Sequence, residues 1–114
     1  MISKLLEKEQ LLQWGRGLLA RYGIQVAHFM PGRVRLKAQP LKGNPSLAQE
    51  LTELFQVIKG VHAVEANHLT GSLLIAYNAK ELQTPDSTRR LGEALGTLVP
   101  HLDQEKLLQM LRWL

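Results

Sequence analysis

The 114-residue chain contains no cysteine. Disulfides, thiolate metal sites, iron–sulfur ligation and thiol nucleophiles are therefore excluded, and cysteine usage says nothing about the redox compartment. Aromatic residues make up only 5% of the sequence, and no stacking motif is evident. Long apolar runs are also missing. The opening Met1-Ile2-Ser3-Lys4-Leu5-Leu6-Glu7-Lys8-Glu9 mixes charge into its apolar positions and reads as neither a signal peptide nor a membrane span, which makes a cytoplasmic location the expectation. The patterns that catalysis requires are lacking too. Gly15-Arg16-Gly17 is a fragment of a phosphate loop, Glu50, Glu53 and Glu65 are scattered, and no nucleophile has a base at fixed spacing, so an enzyme is not expected.

The remainder is an ordinary soluble composition, 45% apolar and 21% charged, of a size that fits one compact domain. A net charge of +4 favours an acidic protein, nucleic acid or an anionic membrane surface as partner without choosing among them.

Periodicity divides the chain into an N-terminal amphipathic helix (1–23), a central domain (24–100) and a C-terminal helix (101–114). Leu5, Leu12 and Leu19, with Leu11, Leu18 and Tyr22, form the first stripe, and Gly15 and Gly17 mark a bend or a close approach. From Ile24 to Ala38 the period changes to two, with an irregular lead-in expected at Gln25–Met30 and an interruption at Pro31-Gly32. A regular strand begins at Arg33, where Arg33, Arg35 and Lys37 alternate with Val34, Leu36 and Ala38. Asn44-Pro45 starts a helix striped by Leu47, Leu51, Leu54 and Ile58 and closed by Lys59-Gly60. Val61–Asn67 and Ser72–Tyr77 read as a hairpin around Leu69-Thr70-Gly71. Thr84-Pro85-Asp86 opens a helix with Leu91, Leu95 and Leu98 as its stripe, and Gly92 and Gly96 as a strip for packing on the sheet. Leu107, Leu111 and Leu114 define the last helix, with Met110 and Trp113 beside them.

The β-α-β-β-α order, with Pro31-Gly32-Arg33-Val34-Arg35-Leu36, Gly60-Val61-His62-Ala63-Val64 and Asn67-His68-Leu69-Thr70-Gly71-Ser72-Leu73-Leu74-Ile75, resembles the heavy-metal-associated domain family over Ala27 to Pro100. The resemblance implies an α+β, ferredoxin-like core, here with the fourth strand missing and a helix added at each end. Such a core would leave the Arg33 strand as an unpaired edge, to be covered by the terminal helices or by a second copy. In the well-known branch of the family, a methionine and a C-x-x-C pair hold a soft metal in the loop that here reads Gln39-Pro40-Leu41-Lys42-Gly43-Asn44-Pro45-Ser46. With no sulfur there, the metal-chaperone role does not carry over. The chain is more similar to a cysteine-less branch marked by P-G-R-x-R, found in some P-type metal-transport ATPases and in stand-alone companions of bacterial iron-storage compartments.

The resemblance implies a non-catalytic adaptor in metal homeostasis, iron in particular, with no cofactor of its own. The residues that carry the role are Arg33, Arg35 and Lys37, a row of donors at spacings of about 6.8 Å that suits carboxylates or phosphates. The expected partner is a metal-transport ATPase or a storage-compartment component, with self-association and peripheral membrane contact as further partner classes. The same row has a plainer reading as the solvated face of a sheet. Two other functions stay open. One is a metal carrier using His28 and Met30. The other is a nucleic-acid-binding sheet, which Phe29 and Tyr77 alone support poorly.

Overall fold

The computed structural model describes residues 2–113, with side chains from Leu6 onward; Leu5 and Leu114 of the expected stripes have side chains outside the described residues. Helix α1 (Ile2–Arg21) leads into strand β1 (Ile24–Met30), which turns directly into β2 (Arg33–Ala38). A 3-10 turn at Gln39–Leu41 precedes α2 (Pro45–Gln56), β3 (Val61–Asn67) and β4 (Ser72–Tyr77). Three helices follow: α3 (Ala79–Leu82), α4 (Pro85–Gly96) and α5 (Gln104–Leu111). The four strands form one antiparallel sheet in the order β1-β2-β4-β3. This is the ferredoxin-like arrangement anticipated from the sequence, with additional helices.

The predicted lead-in at Gln25–Met30 is instead a paired strand. Pro31-Gly32, expected to interrupt a strand, is the turn of a hairpin: proline presets the second turn position and Gly32 takes φ +83 at the third. Its carbonyl accepts from Tyr77 N–H at 2.9 Å, and a Cβ at this glycine would sit 3.2 Å from the Tyr77 carbonyl oxygen. The register slips between Val26 and His28, so Ala27 is the extra residue of a bulge. No strand follows α4 or α5 among the described residues, in keeping with a missing fourth strand. β1 occupies the place beside β2 that the last strand of a complete β-α-β-β-α-β unit would take. The Arg33 strand is therefore not an edge, and neither a terminal helix nor a second copy is needed to cover it.

Two helix starts follow the predicted signals: Asn44 accepts from Leu47 N–H and Thr84 from Ser87 N–H, with proline in the first turn of α2 and α4. Asp103, which the sequence pattern did not single out, caps α5 by accepting from both Glu105 and Lys106 N–H. α2 ends at Gln56, earlier than the Lys59-Gly60 stop, and Gly60 serves the following turn at φ +107, where its backbone carbonyl accepts from Asn78 N–H. The core joins Leu36, Leu73 and Ile75 of the sheet to Leu51, Phe55 and Ile58 beside α2 and Leu91 and Leu98 beside α4.

α1 runs unbroken through both glycines. A Cβ on Gly15 would come within 2.9 Å of Met110 Sδ, so this glycine admits α5, whereas Gly17 faces open space. Gly92 likewise serves a helix rather than the sheet: a side chain there would collide with Gln104 at the start of α5, and Gly96 has no neighbour. The terminal helices also exchange cations, Lys8 lying 5.9 Å from the Trp113 ring centroid and Lys106 5.4 Å from that of Trp14. Both tryptophans are consequently half-buried.

Candidate functional site: a helix-free basic sheet face

Alternation along β2 sends Val34, Leu36 and Ala38 toward the helices and leaves Arg33, Arg35 and Lys37 exposed. Pairing extends this division across the sheet. Opposite Arg33 lie Met30 and Ala76, opposite Arg35 lie His28 and Leu74, and opposite Lys37 lie Gln25 and Ser72. On β3, Ala63, Glu65 and Asn67 complete the same face. The three predicted residues thus form one row down the centre of the outer face, with Glu65 the single carboxylate in the cross-strand rows, two strands away.

The row has no ion-pair partner among the described residues, in contrast with the cations of α4. There Arg89 contacts Asp86 at 2.8 Å and Glu93 at 2.7 Å, and Arg90 contacts Asp86 at 3.0 Å. The Arg89 and Arg90 guanidinium groups hold the Asp86 carboxyl below its ordinary range, and its hydrogen bond with Asp86 raises Arg89 in turn. Donors left unpaired on a central strand are free to meet carboxylates or phosphates from outside.

His28 and Met30 share this outer face, so the predicted pair does come together. Each has an arginine as its direct cross-strand neighbour, about 5 Å away between Cα atoms, and that positive charge opposes a bound cation. His62 instead lies 3.6 Å from Glu81. No group of three or more His, Asp or Glu side chains suited to a metal occurs among the described residues. In the Gln39–Ser46 loop, Leu41 is fully buried, and Gly43 N–H donates to the His68 carbonyl at 2.7 Å, tying the loop to the β3–β4 hairpin.

Phe29 and Tyr77 both point away from the basic row: Phe29 pairs with Val34, and both rings line the apolar side of the sheet. The basic face therefore lacks the aromatic platform of sheet-type RNA readers. No helix among the described residues is long and apolar enough to cross a membrane.

The sequence model of the family described as heavy metal associated domain 2 matches residues 2–86, from α1 to the first residues of α4. Among curated proteins and among solved structures, none matches the chain.

Proposed function

The chain belongs to the heavy metal associated domain 2 family, which carries a metal-related role, and from that premise we propose a non-catalytic adaptor in iron homeostasis that docks an acidic protein surface on Arg33, Arg35 and Lys37. The observation that supports this reading is the row of three cations on the outer sheet face, without an ion-pair partner among the described residues. The reading places the chain in the cysteine-less branch of its family. It also gives the P-G-R-x-R pattern a physical sense: Pro31-Gly32 turns the chain, and the next alternate positions present two guanidinium groups on one face. Charge complementarity of this kind chiefly sets encounter rate and orientation.

A metal-transport ATPase or a component of an iron-storage compartment is the partner class, met in the cytoplasm. The test is affinity capture from the native host under gentle detergent, comparing wild type with the double variant Arg33→Glu, Arg35→Glu. Recovery of such a partner by wild type alone is the expected result. Equal recovery by both proteins would remove the row from the interface. Stoichiometric copper(I) binding that His28→Ala abolishes would replace the adaptor by a metal carrier.

A further inference from the structure

The inner side of the sheet holds a feature that the adaptor reading does not use. Between the sheet and the helices lies a partly open cavity of about 210 Å³, bounded by Leu18 of α1, Phe29 of β1, Val34 of β2, Ile75 of β4, Leu95 of α4 and Met110 of α5. Its lining is almost wholly apolar. The residues that carry polar groups are Trp14, which is half-buried, Arg16, which is exposed, and Tyr77, which is 7% exposed. The Tyr77 hydroxyl is buried, and its O–H meets no acceptor among the described residues.

A buried phenol O–H with no acceptor carries an uncompensated desolvation cost, and native structures seldom keep one without a reason. Burial also raises the Tyr77 pKa, against the smaller opposing effect of the Gly32 backbone N–H approaching the phenol oxygen, so the group is a neutral donor whose O–H is the unmatched half. An apolar cavity of about 150 Å³ stays dry and accepts benzene. By proportion, this one admits about eight or nine non-hydrogen atoms.

We propose that this cavity binds a small neutral lipophile, an alkyl chain of that size bearing one carbonyl group, whose oxygen accepts the Tyr77 hydroxyl. A carbonyl satisfies the phenol and brings no donor of its own to be stranded among leucine and valine side chains. The apolar body replaces empty space with dispersion contacts.

The probes are 2-octanone, n-octane and octanoate, titrated into the full chain and followed by the NMR signals of Phe29, Val34 and Ile75. Saturable binding of 2-octanone is expected, with n-octane about three- to tenfold weaker, the ratio of one neutral hydrogen bond. In Tyr77→Phe the two should bind equally, and that variant without ligand should melt above wild type because the stranded hydroxyl is gone. Failure of 2-octanone to bind, or its binding no tighter than n-octane in wild type, overturns the proposal without recourse to any variant. Octanoate binding tighter than 2-octanone overturns the neutral ligand in favour of a carboxylate drawn to Arg16.

Discussion

The two faces of the sheet are built from the same strands and obey opposite demands. On β2, Leu36 is 5% exposed and belongs to the core, while its neighbour Arg35 faces solvent across from His28 and Leu74. On β4, Leu73 is fully buried and the adjacent Leu74 only half so. Adjacent residues thus meet different physical demands: the inner one packing, where every lost methyl group is felt, and the outer one contact with solvent. If the basic row docks a partner as proposed, stability and recognition are separable here by a shift of one position.

Leu36→Ala tests that separation most severely. Truncating this inner residue should cost about 2–5 kcal/mol of unfolding free energy, read as a lowered urea midpoint, and a cost below 1 kcal/mol would mean that the inner face tolerates voids. Next in size is Thr88→Val. It removes the buried 2.8 Å hydrogen bond to the Leu82 carbonyl that ties α4 to α3 and should cost about 1–2 kcal/mol in the same measurement.

Asp86 sharpens the contrast on the solvent side. Its pKa lies below the ordinary 3.8 because Arg89 and then Arg90 bind the carboxylate. The associated stability is fully present above that ordinary value and is lost as pH falls through the depressed one. Asp86→Asn should therefore flatten the acid limb of the melting curve below about pH 4 and change little at neutrality, because the group is exposed. The smallest effect belongs to the basic row. Arg33→Glu with Arg35→Glu should move unfolding free energy by no more than about 0.5 kcal/mol per site while abolishing partner capture. A large loss of stability would show that the outer face also carries fold energy.

Much of this architecture is legible in residue order. The β2 alternation, the Asn44 and Thr84 caps and the Val61–Tyr77 hairpin all rest on local signals that the fold leaves in place. β1 escapes such a reading for two physical reasons. The bulge at Ala27 breaks the period of two, and His28, Phe29 and Met30 are all exposed, so no apolar stripe announces the strand. Pro31-Gly32 was the available signal, since that pair specifies a turn at least as well as it interrupts a strand. Of the α2 core, Leu51 and Ile58 are legible, while Phe55 and Ala48 lie outside the leucine stripe and are nonetheless buried.

The basic row is legible because three cations at alternate positions need only a strand to align them. Whether the row is paired or free depends on where acidic residues from other elements fall, and that is a tertiary fact. The cavity is less legible still. Leu18, Phe29, Ile75 and Met110 are far apart in sequence, and the space between them is a property of helix placement, which the apolar stripes do not encode. The glycines are an intermediate case. Gly15 signals close approach, but only the fold identifies Met110 as the neighbour.

Placing a preceding strand where a following one would otherwise sit has a further consequence for synthesis. Every strand pairing closes within Ile24–Tyr77, and the pairings are two hairpins joined by the β2–β4 contact. As the chain leaves the ribosome, the sheet has all its strands before α4 or α5 emerges, so pairing register need not wait for the C-terminal helices. The apolar inner face then stands uncovered on the α4–α5 side for the time needed to translate about twenty to thirty more residues, a few seconds at ordinary elongation rates. In that interval the nascent sheet is a natural client for a chaperone. Chains stalled after Tyr77 on a flexible linker long enough to bring the whole sheet clear of the exit tunnel should cross-link to one through Val34 or Ile75, and the same chains carrying α4 and α5 before the linker should not.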